Sequence, residues 1–185
     1  LRFDWQADLA LITDAAREAG KVAMAHFGQS PEVWWKNEGR SPVSAADYAA
    51  NKILEEILRH ARPNYGWLSE ETADAPDRLG HDGSGAGLLW LVDPIDGTAN
   101  FARGDRNWCI SVGLVVDRVP VFGIISAPSL GETYIGRKGQ GATWLAGRPS
   151  NSSPSFPCSL LLDNPGNSSS TVRITLVGSC RNEAL

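Results

Sequence analysis

The chain has 185 residues, a formal net charge of −4, a hydrophobic share of 42% and a charged share of 21%. That length suits one compact core, the acidic balance offers no basic field for nucleic acid, and no run approaches the ~20 apolar residues that span a bilayer. Cys109, Cys158 and Cys180 are far apart and form no CxxC, so neither a disulfide framework nor a zinc site is indicated and a reducing cytoplasm fits.

The start, LRFDWQADLA, lacks the basic and apolar regions of a signal peptide, and Leu1 implies that the natural start lies upstream. From Asp8 to Phe27, Leu9, Ile12, Ala16, Ala19, Ala23 and Phe27 recur at spacings of three and four. Gly28 stands at the capping position, so an amphipathic helix is expected. The Trp34-Trp35 pair and a polar loop through Gly39 and Pro42 lead to a second helix from Ser44, with Ile53, Leu54, Ile57 and Leu58 on one face and Pro63 as its stop. The period then changes. YGWLS (65–69) and LLWLV (88–92) read as short strands, the first ending in Glu70-Glu71 and the second in Asp93. DAPDRLGHDGSGAG between them reads as a surface loop.

WCISVGLVV and VPVFGIISAP flank an Asp117-Arg118 turn, and ETYIG follows Gly131, which together predict an antiparallel meander. A sheet backed by two helices is the simplest layering. From Pro149 to Ser170 serine, proline and asparagine become frequent, and TVRITLVG then reads as one more strand. The expected division is therefore 1–148 as one α+β part and 149–185 as a linker with the start of a second part.

Chemistry concentrates at Glu70, Asp93, Asp96, Gly97 and Thr98. Hard cations such as Mg²⁺ take oxygen ligands, and a few carboxylates with substrate phosphate oxygens commonly hold them. The D-P-I-D spacing predicts a tight turn that aims both aspartates into one pocket and leaves the Ile95 carbonyl as a further oxygen ligand. Gly97 permits close backbone approach, and a helix starting there would present free N–H groups to an anion. Each feature also has a plain explanation. Asp96-Gly97 suits an ordinary turn, Glu70-Glu71 a solvated strand end, and Asp47, three residues after Ser44, a capping box. Lys36 reads as a surface lysine, Trp34 and Trp35 as packing aromatics, and His26, His60 and His81 show no metal-ligand spacing.

In combination, SPVSAAD, LSEET and VDPIDGTANF resemble, in order, three motifs of the inositol monophosphatase family of Mg²⁺-dependent, lithium-sensitive phosphatases. The resemblance covers residues 36 to 145 and implies a layered αβαβα sandwich of α+β class, with the helices and meander as its first half. It also implies that Glu70, Asp93 and the Ile95 carbonyl hold a first Mg²⁺, that Asp93 is shared, and that Asp96 serves a second ion; two or three ions are expected. Gly97 and Thr98 would hold substrate phosphate through backbone N–H groups. Asp47 and Thr98 would orient the metal-activated water, with Glu70 contributing to catalysis, and Lys36 would lie in a mobile loop near the ions.

The implied reaction is hydrolysis of myo-inositol-1-phosphate to inositol and phosphate, by a cytoplasmic homodimer that binds neither nucleic acid nor membrane. Asn100-Phe101 resembles the inositol monophosphatase branch, while GWLSEET is also similar to nucleotidase-like members that act on 3′(2′),5′-bisphosphates. The family supplies one more metal aspartate from a later Trp-Asp motif, and this sequence has no Trp-Asp dipeptide. TLVGSCRNEAL resembles the start of the family's second half, so a chain lacking its C-terminal part is expected. A non-catalytic, protein-binding member is the remaining alternative.

Overall fold

A computed structural model describes residues 5–29, 33–36, 41–72, 87–145, 160–163 and 173–176. Helix α1 (Trp5–His26) buries Leu9, Ile12, Ala15, Ala16, Ala19 and Ala23 along one stripe. This is the predicted face, and small residues at three- and four-residue spacing let it lie close against a neighbour. Gly28 follows at φ +77°, the left-handed conformation that ends helices without a Cβ clash. Helix α2 (Ala45–Ala61) buries Ala46, Ala50, Leu54 and Leu58, with Ile53 and Ile57 packed on the same core. Enclosing Ile12, Leu54 and Leu58 contributes about 1.5–3 kcal/mol per side chain.

A buried carboxylate locks the two helices. Asp8 is 1% exposed, accepting from Arg62 Nε at 2.6 Å and from the Tyr65 hydroxyl at 2.9 Å. Burial, reinforced by the bond to Asp8, pushes the Tyr65 hydroxyl up to about 12, so Tyr65 stays a donor at every physiological pH. Its ring packs against Trp90, 5.2 Å between centroids, and carries the bridge into the core.

The sheet runs β3 (Gly66–Ser69), β4 (Leu88–Asp96), β5 (Cys109–Val116), β6 (Val119–Ala127), β7 (Glu132–Arg137) and β8 (Gly141–Leu145), in that order. β3 and β4 are parallel, and every later neighbour is antiparallel. The β5–β6 hairpin turns at Asp117 and Arg118 with φ of 49° and 65°, the mirror-image turn whose twist matches its strands. On one sheet face Trp90, Val92, Ile110, Val112, Leu114 and Ile124 join the helices in the main core. On the other, Cys109, Ile125, Ala127 and Tyr134 form a second cluster.

Three expectations change. Val33–Lys36 and Ser41–Ser44 form an antiparallel hairpin, β1–β2, where a polar loop was predicted, so Lys36 ends a strand rather than lying in a loop. Four-residue strands are too short to display a period, and Pro42 is tolerated because a two-stranded sheet has only edges. β8 follows a Gly139/Gly141 turn and was not anticipated. β9 (Leu160–Asp163) lies within the segment read as linker and pairs antiparallel with β10 (Arg173–Leu176), the predicted late strand. The loop predicted between β3 and β4 falls outside the described residues from 73 to 86.

Candidate active site

The second half of β4 differs from the predicted tight turn. Asp93 and Pro94-Ile95-Asp96 continue the strand, and the register slips: Asp93 lies opposite Ser111 while Asp96 lies opposite Cys109. Three steps on β4 match two on β5, which is a β-bulge of one extra residue. Pro94 suits that position because it has no N–H to leave unpaired in the ladder. In a regular strand residues three apart face opposite sides. The bulge cancels that inversion and brings Asp93 and Asp96 to the same face, the one that also carries Cys109, while Ile95 packs into the helix-side core.

Glu70 enters from the neighbouring strand. Its backbone N–H donates to the Val92 carbonyl at 3.3 Å, so the end of β3 is anchored beside Asp93. Ser69 just before it is buried and donates to Asn51 of α2 at 2.6 Å, while the Glu71 N–H donates to Ser69 Oγ at 3.2 Å. Asp93 keeps a solvent-facing window, yet protein surrounds its carboxyl. Burial, followed by the charges of Asp96, Glu70, Asp47 and Glu71, holds that carboxyl well above the ordinary carboxylate range. Asp96, more open, is raised by desolvation.

Gly97 closes the strand at φ +91°, and a Cβ there would lie 3.0 Å from the Asn107 carbonyl oxygen. Conformation and space both require glycine. The six-residue helix α3 (Thr98–Arg103) follows, capped by Gly104, and its first N–H groups have no acceptor within the helix. Asp47, 1% exposed, accepts from the Ser44 N–H at 2.8 Å and Ser44 Oγ at 2.6 Å through Oδ2, the helix-capping role expected of it. Its other oxygen, Oδ1, lies 2.9 Å from Thr98 Oγ1, which also lies 3.0 Å from the Ile95 carbonyl. Capping and site chemistry therefore use different oxygens of one carboxylate.

The structure thus joins Asp47, Ile95 and Thr98 by hydrogen bonds and gathers Glu70 and Asp96 electrostatically around Asp93. Among the described residues, no three His, Cys, Asp or Glu side chains close into a preassembled ligand set. Four acids bearing on the Asp93 carboxyl, with the Ile95 carbonyl beside Thr98, offer the oxygen donors that a hard divalent cation takes. The side chain of Lys36 falls outside the described residues. Sequence reasoning passed over Ser111 and Cys109, the latter with Sγ 4.0 Å from Asp96 Oδ2. The one polar residue inside the apolar run CISVGLVV was the available signal for Ser111.

A helix pair layered on a mixed sheet, with acids at the carboxyl ends of its parallel strand pair, defines a layered α+β chain. The inositol monophosphatase family model matches residues 4–183, and the chain belongs to that family. It is 32% identical over 142 residues to a histidinol-phosphatase of Chlorobaculum parvum, covering 77% of this chain and 52% of that protein. An inositol monophosphatase of Mesembryanthemum crystallinum is 34% identical over 141 residues, 76% of this chain and 50% of the relative. The crystal structure of the extragenic suppressor protein SuhB from Bartonella henselae superposes with a TM-score of 0.67 at 31% identity, covering 75% of this chain and 52% of that one. The chain spans about half the length of these relatives. Among the described residues no helix is long and apolar enough to cross a membrane.

Proposed function

We propose that this chain forms the metal- and phosphate-binding part of a Mg²⁺-dependent phosphomonoesterase that hydrolyses inositol monophosphate to inositol and phosphate. The observation that carries the reading is the bulged end of β4, where Asp93 and Asp96 face the same way beside Glu70 and next to the Asp47–Thr98 pair. Glu70, Asp93, Asp96 and the Ile95 carbonyl would hold divalent ions, which supply charge neutralisation and an activated water. Gly97 and Thr98 receive the phosphoryl oxygens through backbone N–H groups at the start of α3.

Thr98 has one hydroxyl proton and two acceptors within reach, Asp47 Oδ1 and the Ile95 carbonyl. When the Ile95 oxygen serves a cation, the proton goes to Asp47. The lone pairs of Thr98 Oγ1 are then left to accept from water and orient it toward phosphorus. Asp47 acts through Thr98 and is held in place by its own helix cap. Phosphate release from inositol monophosphate by the protein carrying this chain, with histidinol phosphate offered in parallel, tests the reading. It predicts turnover that requires a divalent ion and is lost in Asp93→Asn; undiminished turnover in that variant contradicts it. Because two relatives bear the name histidinol-phosphatase, the relative rates of the two esters decide the substrate.

A further inference from the structure

Ser111 lies in β5, 3% exposed, and its hydroxyl has no hydrogen-bond partner among the described residues. A buried hydroxyl left without a partner costs free energy, so a serine retained there asks for a use. The two other buried groups in that condition, the indole N–H groups of Trp90 and Trp108, belong to residues of the main core on the helix side. Ser111 is placed differently. Its strand neighbours Ile110 and Val112 face the helices, which turns Ser111 to the opposite face, and its direct cross-strand partner is Asp93. Residues directly opposite in an antiparallel pair have Cβ atoms about 4.5–5.5 Å apart, a gap that rotation of a serine side chain can close with a hydrogen bond.

We propose that Ser111 is a positioning residue for Asp93: its hydroxyl donates to the Asp93 carboxylate when that carboxylate holds a divalent cation, fixing which oxygen faces the ion. The inference rests on the reading of Asp93 as a metal ligand. The bulge at Pro94 makes such a tether useful, because it ends the regular ladder just beyond Asp93 and leaves the side chain's direction to its neighbours. A donor on the adjacent strand, held in a rigid sheet, supplies that direction. A donor fixed opposite Asp93 in this way favours the cation-bound arrangement of its carboxylate.

Calorimetric titration of MgCl₂ into the parent chain, Ser111→Ala, Ser111→Thr and Asp93→Asn, with melting temperatures in EDTA, tests this. Ser111→Ala is expected to weaken Mg²⁺ binding about tenfold, the lower end for loss of an outer-shell partner. Its melting temperature in EDTA stays equal to the parent's or rises, since an unpaired hydroxyl is gone. Ser111→Thr keeps the donor and restores most of the affinity. Equal Mg²⁺ affinity in Ser111→Ala and parent overturns the positioning role while leaving the metal site intact. Lost affinity together with a lower melting temperature in EDTA makes Ser111 a structural residue and also overturns it. A parent chain that binds no Mg²⁺, or binds it as Asp93→Asn does, removes the metal site and this inference together.

Discussion

Asp8 and Asp93 are both enclosed by the same small fold, and their surroundings are opposite. Asp8 is met by the Arg62 guanidinium and the Tyr65 hydroxyl, so its charge is answered within the chain and it joins two helices. Around Asp93, burial and then the charges of Asp96, Glu70, Asp47 and Glu71 drive the carboxyl toward the protonated form. A carboxylate whose partner comes with the fold is part of the scaffold. One surrounded by its own kind is under strain that a bound cation relieves. The contrast sets a carboxylate answered within the fold apart from one that the proposed reading assigns to a cation.

The largest effect expected is at Asp93. Asp93→Asn removes a proposed ligand and lowers divalent-dependent phosphate release by more than about a hundredfold, beyond the usual effect of losing an outer-shell partner. Assays across Mg²⁺ concentrations check this. Thr98→Ala is next: kcat falls by about a hundredfold through loss of water orientation, while Mg²⁺ affinity is retained. Equal losses of kcat and Mg²⁺ affinity would instead make Thr98 part of the metal site. On the scaffold side, Asp8→Ala leaves Arg62 and Tyr65 without their acceptor and costs about 2 kcal/mol in urea unfolding. Mg²⁺ binding per folded molecule stays unchanged, which is the sharpest contrast with Asp93→Asn.

The smallest effect is on pH dependence. The folded-state pKa of Asp93 is raised above its unfolded value, so between the two the native state binds the proton more tightly. Stability of the metal-free chain from this group is therefore greatest below the ordinary carboxylate range and declines as pH rises through the raised value. Asp93→Asn flattens that decline, and melting temperatures in EDTA across pH 4 to 8 measure it, the window following from ordinary carboxylate values of about 4.

Periodicity over long segments was legible in the chain. α1 and α2 follow from 3.6-residue repeats that the core enforces, and the β5–β6–β7 meander from apolar runs broken at turn residues; their bounds differ from expectation by a few residues. The short strands β1, β2, β8 and β9 were not read from the sequence although β3 and β10, about as short, were; four or five residues display no period, so such a strand is legible only where an apolar run happens to stand out. At the site, residue types spoke clearly and geometry did not. D-P-I-D drew attention to Asp93 and Asp96, yet whether they sit on a turn or a bulge depends on the register with β5, which no local stretch encodes. Asp47 read as either a cap or a reactive group, and the structure gives one oxygen to Ser44 and the other to Thr98. Ser111 carried no motif; it becomes notable only once its partner across the sheet is known.

Melting temperature as a function of Mg²⁺ concentration, in the parent chain and in Asp93→Asn at neutral pH, tests the central claim most directly. A ligand that binds only the folded state raises the melting point with its concentration. The parent should therefore start lower than the variant in EDTA and climb steadily as Mg²⁺ is added, while the variant stays flat. A parent curve that is flat, or that rises in step with the variant, would contradict the account.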